Sequence, residues 1–256
     1  MSGVDSAPPY SKKIQSLLNE VNAMVDKKIV IHRIPPGPQI RQGETIGTPY
    51  SWDITVTSGI SPDYDDSVLA HELFHVILNV KGFAGGALPV PGVDAGIPTL
   101  NQAQRAQLPQ ALMLTATTIN SCFNDQLIDR ETLKRGFQPK LLLDKERDQT
   151  LQMAVGFEPN EGDEWPDVIK KGTAVLVFCE SHRMSATSSK QYLAALKPKY
   201  GKTVFDHEKA LEAKFRGQRC QINDPTGCYA LTLQLRDTAH LKGVIRLRNP
   251  QTHEEQ

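Results

Sequence analysis

The sequence predicts a mainly helical α+β protein. Three observations predict it. Apolar residues recur at three- and four-residue spacings over several long stretches, a few short β-branched runs stand between Gly and Pro breaks, and one helix is apolar around much of its circumference. At 256 residues, with 39% hydrophobic and 23% charged residues, the chain is long enough for a substantial core, and its composition excludes wholesale disorder.

Ser11 to Val25 places Ile14, Leu17, Leu18, Val21 and Val25 at helical spacing, which predicts an amphipathic helix. KKIVIHRI then reads as a strand halted at Pro35, Pro36 and Gly37, with its His32 read as structural. Residues 35–50 read as a loop or a loose hairpin, and SWDITVTSG alternates through Ile54 and Val56 as a second strand. Ser61 as cap, Pro62 in the first turn and the acids Asp63, Asp65 and Asp66 mark the start of a helix that runs to about Lys81 and stops at Gly82. Its Val68, Leu69, Phe74, Val76, Ile77 and Val80 place it in the interior.

The Gly- and Pro-rich segment at 82–98 is too uneven for regular structure and reads as a long mobile loop. Leu108 to Lys134 predicts a second long helix ending near Gly136. Helical pieces follow at 140–155, 164–183, 187–197, 203–216 and 226–236, broken at positions such as Pro159, Pro198, Gly201 and Pro225. GVIRLR closes the pattern as a last strand before a polar tail, NPQTHEEQ, expected to fray. An organisational split near residue 138 gives a metal-site region, 1–138, and a helical region, 139–256, open to belonging to the same domain.

Lys plus Arg and Asp plus Glu number 29 each, so no net field recruits nucleic acid or an anionic membrane. No window is apolar enough for a membrane span, and MSGVDSAPPYSKK lacks the apolar core of a secretory leader. The expectation is a soluble cytoplasmic protein. Cys122, Cys179, Cys220 and Cys228 contain no CxxC pair and read as buried reduced thiols, with Cys220 and Cys228 close enough in sequence to pair under oxidising conditions.

The chemistry concentrates in HELFH. His71 and His75 are four residues apart, so both imidazoles project from one helical face and reach a single zinc ion, with Glu72 beside the metal's water. With 7 histidines in the chain, a chance HExxH match is expected roughly 0.01 times. Burying three polar groups among Val, Leu and Ile without a partner would cost several kcal/mol. A metal supplies that partner.

On HELFH, and over roughly residues 50–135, the chain resembles the zincin metallopeptidases, in which such a helix packs beneath a small sheet whose edge strand follows the substrate cleft. The resemblance implies a zincin-like core, with SWDITVTSG where the cleft strand belongs, and a substrate paired to it by strand addition. Catalytic zinc takes three protein ligands and a water, yet neither HExxHxxGxxH nor NExxSD is present. In NSCFNDQLIDRE the run resembles the second-helix pattern of predicted bacterial zincins, and on that likeness Asp125 is the preferred third ligand. Asp129, Glu131, Asp94 and His182 stay open as further candidates, and Asp129 is otherwise an acceptor for a ligating histidine or a partner of Arg130 or Arg135.

The implied activity is that of a zinc-dependent metallopeptidase acting on a peptide or protein substrate, with His71, His75 and Asp125 as ligands and Glu72 as general base. His182, Arg183, Tyr192, Tyr200 and Tyr229 are the residue types available to steady an oxyanion. Two further functions would use the same residues: a zinc-bound, non-catalytic binding or regulatory module, and a zinc hydrolase of a non-peptide amide or ester. A Cys179–His182 thiol pair and a phosphate-binding cluster at Lys197, Lys199 and Lys202 are weaker readings of the second half.

Overall fold

Ser11 opens the first helix by accepting a bond from the Ile14 amide, and α1 (Lys12–Met24) buries Ile14, Leu17, Leu18 and Val21 on one stripe. The structure is a computed structural model, which describes residues 10–36, 43–83, 85–93, 100–142 and 166–256. Helix dominates it, with two small sheets, and no helix among the described residues is long and apolar enough to cross a membrane.

These residues group into two compact units. One takes the chain up to Val80 together with Arg130–Leu142, and the other takes Lys81–Asp129 together with the chain after Leu142. The division passes inside one continuous helix, α3 (Gln102–Lys134).

In the first unit, β1 (Lys28–Ile34), β2 (Gly43–Gly47) and β3 (Ser51–Thr57) form a sheet in the order β1-β3-β2. β1 runs parallel to β3, with Ile31 opposite Ile54, and β2 runs antiparallel, with Thr45 opposite Ile54. Along β3, Trp52, Ile54 and Val56 are buried in alternation, as the pleat requires of a sheet covered on one face. α2 (Pro62–Val80) packs on α1, β2 and β3. Its Ser61 hydroxyl accepts from the Tyr64 amide, and Asp65 accepts from the Gly59 and Ile60 amides ahead of it.

α2 is buried nearly all round, through Tyr64, Val68, Leu69, Ala70, Leu73, Phe74, Val76, Ile77 and Leu78. Each such large apolar side chain contributes about 1.5–3 kcal/mol of transfer free energy. The last turn of α3 and the residues after it join this unit through several bonds. Arg135 forks onto Glu20 at 2.5 and 2.9 Å and lies over the Phe74 ring, while the Gln138 amide donates to Ser67 Oγ.

In the second unit, α3 starts at a reciprocal cap, with the Gln104 amide donating to the Asn101 side chain and the Asn101 amide to the Gln104 side chain. α4 (Asp167–Arg183), α5 (Ala186–Phe215) and α6 (Pro225–Thr238) complete its helices. α5 is interrupted at Gly201, whose φ of 65° is non-helical, so the expected break between two helical pieces is retained as a kink. Leu100, Leu108, Ala111, Leu112 and Ile169 form one apolar cluster, and Val177, Tyr192, Leu196 and Phe205 another.

Several expectations need correction. Within 35–50 the hairpin alternative holds, since β2 pairs antiparallel with β3, but SWDITVTSG is the central strand and no edge strand, and β1 and β2 hold the two edges. Within 82–98, β4 (Gly86–Pro89) pairs antiparallel with β5 (Ile245–Arg248); residues 84 and 94–98 of that loop lie outside the described residues. The tail folds back, Leu247 and Gln256 exchanging two backbone bonds of 2.8 Å. All four cysteines are paired, Cys122 with Cys179 and Cys220 with Cys228. Most of the 140–155 helix lies outside the described residues.

Candidate metal centre

α2 places His71 and His75 one turn apart, and their Nε2 atoms stand 3.2 Å from each other with the rings edge to face. Two nitrogens each bonded to one tetrahedral zinc at roughly 2.0–2.1 Å are separated by about 3.3 Å. The pair therefore already has the spacing of one edge of a zinc coordination tetrahedron. Two imidazoles so spaced are donors suited to catalytic zinc, so the histidine pair fits the metal that the motif implies.

Glu72, 6% exposed, is turned toward the sheet. The Thr45 hydroxyl on β2 donates to Glu72 Oε2 at 2.7 Å and lies 3.1 Å from the Glu72 carbonyl oxygen. Gly43, two residues earlier on the same face of β2, leaves the space that the carboxylate fills, because a Cβ there would collide with Glu72 Oε1 and its carbon. A strand edge with a hydroxyl and a bare backbone thus fixes one oxygen of the carboxylate.

Asp125 lies near the C-terminal end of α3 and is 14% exposed. Its Oδ2 stands 3.4 Å from Arg183 Nη1, and Arg183 Nε donates to Asp129 Oδ2 at 3.0 Å. Asp129 thus pairs with Arg183. Glu131 and His182, also candidate third ligands, are engaged elsewhere: Glu131 pairs with Lys134 on its own helix, and His182 bonds Glu212 through Nε2 and contacts the Phe178 carbonyl oxygen through Nδ1. Asp94 lies outside the described residues.

The expected oxyanion donors are dispersed within the second unit. Tyr192 is buried in an apolar cluster, where burial pushes its phenol far above the ordinary range, and burial also raises Tyr229. Tyr200 packs against the Tyr192 cluster. Cys179 is spent in a disulfide and offers no thiol nucleophile. Gly43 and Thr45 were missed because their segment, read as a loop or a loose hairpin, carries no titratable motif that marks them, and only the pairing of GETIG with SWDITVT brings them to Glu72.

No family model matches the chain, and comparison with curated proteins and with solved structures returns no match. The functional reading therefore stands on the geometry.

Proposed function

We propose that the protein is a zinc-dependent metallopeptidase with a zincin-like core. The carrying observation is Glu72, a carboxylate buried beside a face-sharing histidine pair and held by Thr45 on an edge strand of a sheet. A general base must be held within reach of the water it activates. Asp125 is proposed as the third ligand on the likeness of NSCFNDQLIDRE to the second-helix pattern of zincins. Zinc, when bound, would polarise the scissile carbonyl and lower the pKa of a water toward about 7.

The chain's own residues do the rest. His71, His75 and Asp125 would hold the metal and leave one position open. Glu72 accepts the proton of the attacking water on Oε1, since Oε2 is occupied by the Thr45 hydroxyl, and returns it to the leaving amine. Among the described residues no further strand pairs with β2, so an extended peptide adds there by backbone bonding, in place of the central strand that the sequence favoured. The substrate class is accordingly a peptide or protein segment. Two disulfides favour an oxidising compartment over the cytoplasm expected from the sequence.

The test is cleavage of a diverse peptide pool by the zinc-reconstituted protein, with products read by mass spectrometry. Glu72→Gln should retain zinc and lose cleavage. Equal cleavage by parent and variant at equal zinc content would overturn the proposal, as would no cleavage by a zinc-loaded parent on peptides and folded proteins alike.

A further inference from the structure

The turn that joins β2 to β3 sets which backbone groups of β2 face outward. The Thr48 amide donates to the Ser51 carbonyl oxygen at 2.8 Å, so these two residues are a hydrogen-bonded pair. In an antiparallel ladder such pairs alternate with pairs whose backbone groups point away from the partner strand. Along the register, Ile46 opposite Asp53 and Glu44 opposite Thr55 therefore bond across to β3, while Gly43, Thr45 and Gly47 turn their backbone groups to the outer edge.

The side chains divide in the same register. Thr45 and Gly43 lie on the face of Glu72, and a Cβ at Gly47 would collide with the Trp52 ring, so three small residues share the buried face of the strand. Glu44 and Ile46 belong to the other face, where Ile46 stands beside Asp53 and is 51% exposed. An antiparallel segment added at this edge bonds the backbone of Thr45. Its residue beside Ile46 then falls in a non-hydrogen-bonded pair, in which Cα atoms come to about 4.5 Å and side chains meet most closely. That residue is next in the chain to the one beside Thr45, which shares the face of the general base.

From this register we infer that Ile46 sets substrate preference, selecting an extended segment with a large apolar side chain at this one position. Ile46 does so on the peptidase reading proposed above, and it lies with Glu72 in the first unit. The test is the cleavage-site profile of the zinc-reconstituted full chain on a diverse peptide pool, aligned on the cleaved bond. The parent should favour large apolar over polar residues at one fixed position by up to about fivefold, the range of a cross-strand side-chain pair. Ile46→Glu should move that preference to Lys and Arg, and Ile46→Lys should move it to Asp and Glu, because opposite charges also pair across strands. On single peptides the change should fall on KM with kcat within twofold, since Ile46 lies on the face away from Glu72.

Both substitutions alter a half-exposed side chain on an edge strand, where charge is tolerated. Ile34→Glu, on the opposite edge strand β1, should leave the profile as in the parent. A parent without the apolar preference, or charge variants that keep it, would overturn the role of Ile46 while leaving the peptidase intact. A shift from Ile34→Glu as large as that from Ile46→Glu would overturn it equally. A zinc-loaded parent that cleaves no peptide would overturn the peptidase reading, and this inference with it.

Discussion

α2 and α3 both deliver ligand-type side chains, yet they are organised in opposite ways. In α2 the two histidines and the glutamate sit within one turn, and local spacing alone aims them. In α3 the aspartate is set by a partner more than fifty positions later in the chain, Arg183 on α4. The difference teaches that a helix carrying a contiguous motif advertises its chemistry, while a helix that lends one carboxylate does not. Local periodicity contains the first arrangement and is blind to the second.

The comparison sharpens most at Glu72. Glu72→Gln should retain full zinc and reduce peptide cleavage by about 10²–10⁴-fold, the usual contribution of a positioned general base. Steady-state rates beside elemental analysis read this directly. An equal loss of metal would mean that Glu72 acts on the histidine pair and not on the water.

The α3–α4 arrangement should break next at its cross-link. By the chain-entropy relation, removing the 57-residue Cys122–Cys179 loop costs about 4 kcal/mol, against about 2.5 kcal/mol for the 8-residue Cys220–Cys228 loop. Denaturant unfolding of the two double-serine variants measures the order, and equal losses would show that native contacts outweigh loop closure. Thiol alkylation of the purified protein should find no free cysteine without reductant.

Gly43→Ala probes the α2 side from the strand that holds Glu72. The added methyl meets the carboxylate, so overpacking should cost about 1–3 kcal/mol and cleavage should fall at least tenfold with zinc retained. Thermal melts and rates on one preparation separate the two effects.

The smallest effect lies on α5. Burial, reinforced by the nearby Glu212 charge, raises the pKa of Glu208 on α5 above the carboxylate norm. A carboxyl raised in the folded state destabilises once both states are ionised, and the penalty disappears as pH falls below the unfolded value. Glu208→Gln should therefore melt higher than the parent at pH 7, with the advantage gone near pH 3. A constant advantage at both pH values would assign it to packing.

Much of the architecture was legible. The cap at Ser61, the apolar circumference of α2 and the strands around Ile31 and Ile54 follow from propensity and periodicity, and all formed as expected. Strand β2 stayed open between loop and loose hairpin because a five-residue strand between glycines has little apolar pattern, and β4 escaped because its partner β5 is more than 150 positions away. The disulfide Cys122–Cys179 and the Arg183 ion pairs were equally hidden, since both arise only when α3 and α4 pack in parallel. In the candidate site, His71, Glu72 and His75 came from spacing, Asp125 from likeness, and Gly43 and Thr45 from structure alone.

The most direct measurement is zinc stoichiometry on the purified, tag-free protein after reconstitution, with His75→Ala and Asp125→Ala prepared identically. The account predicts about one zinc per chain in the parent, none retained by His75→Ala, and a sharp reduction in Asp125→Ala. A parent that takes up no zinc, or one whose zinc survives His75→Ala, would contradict the metal centre on α2.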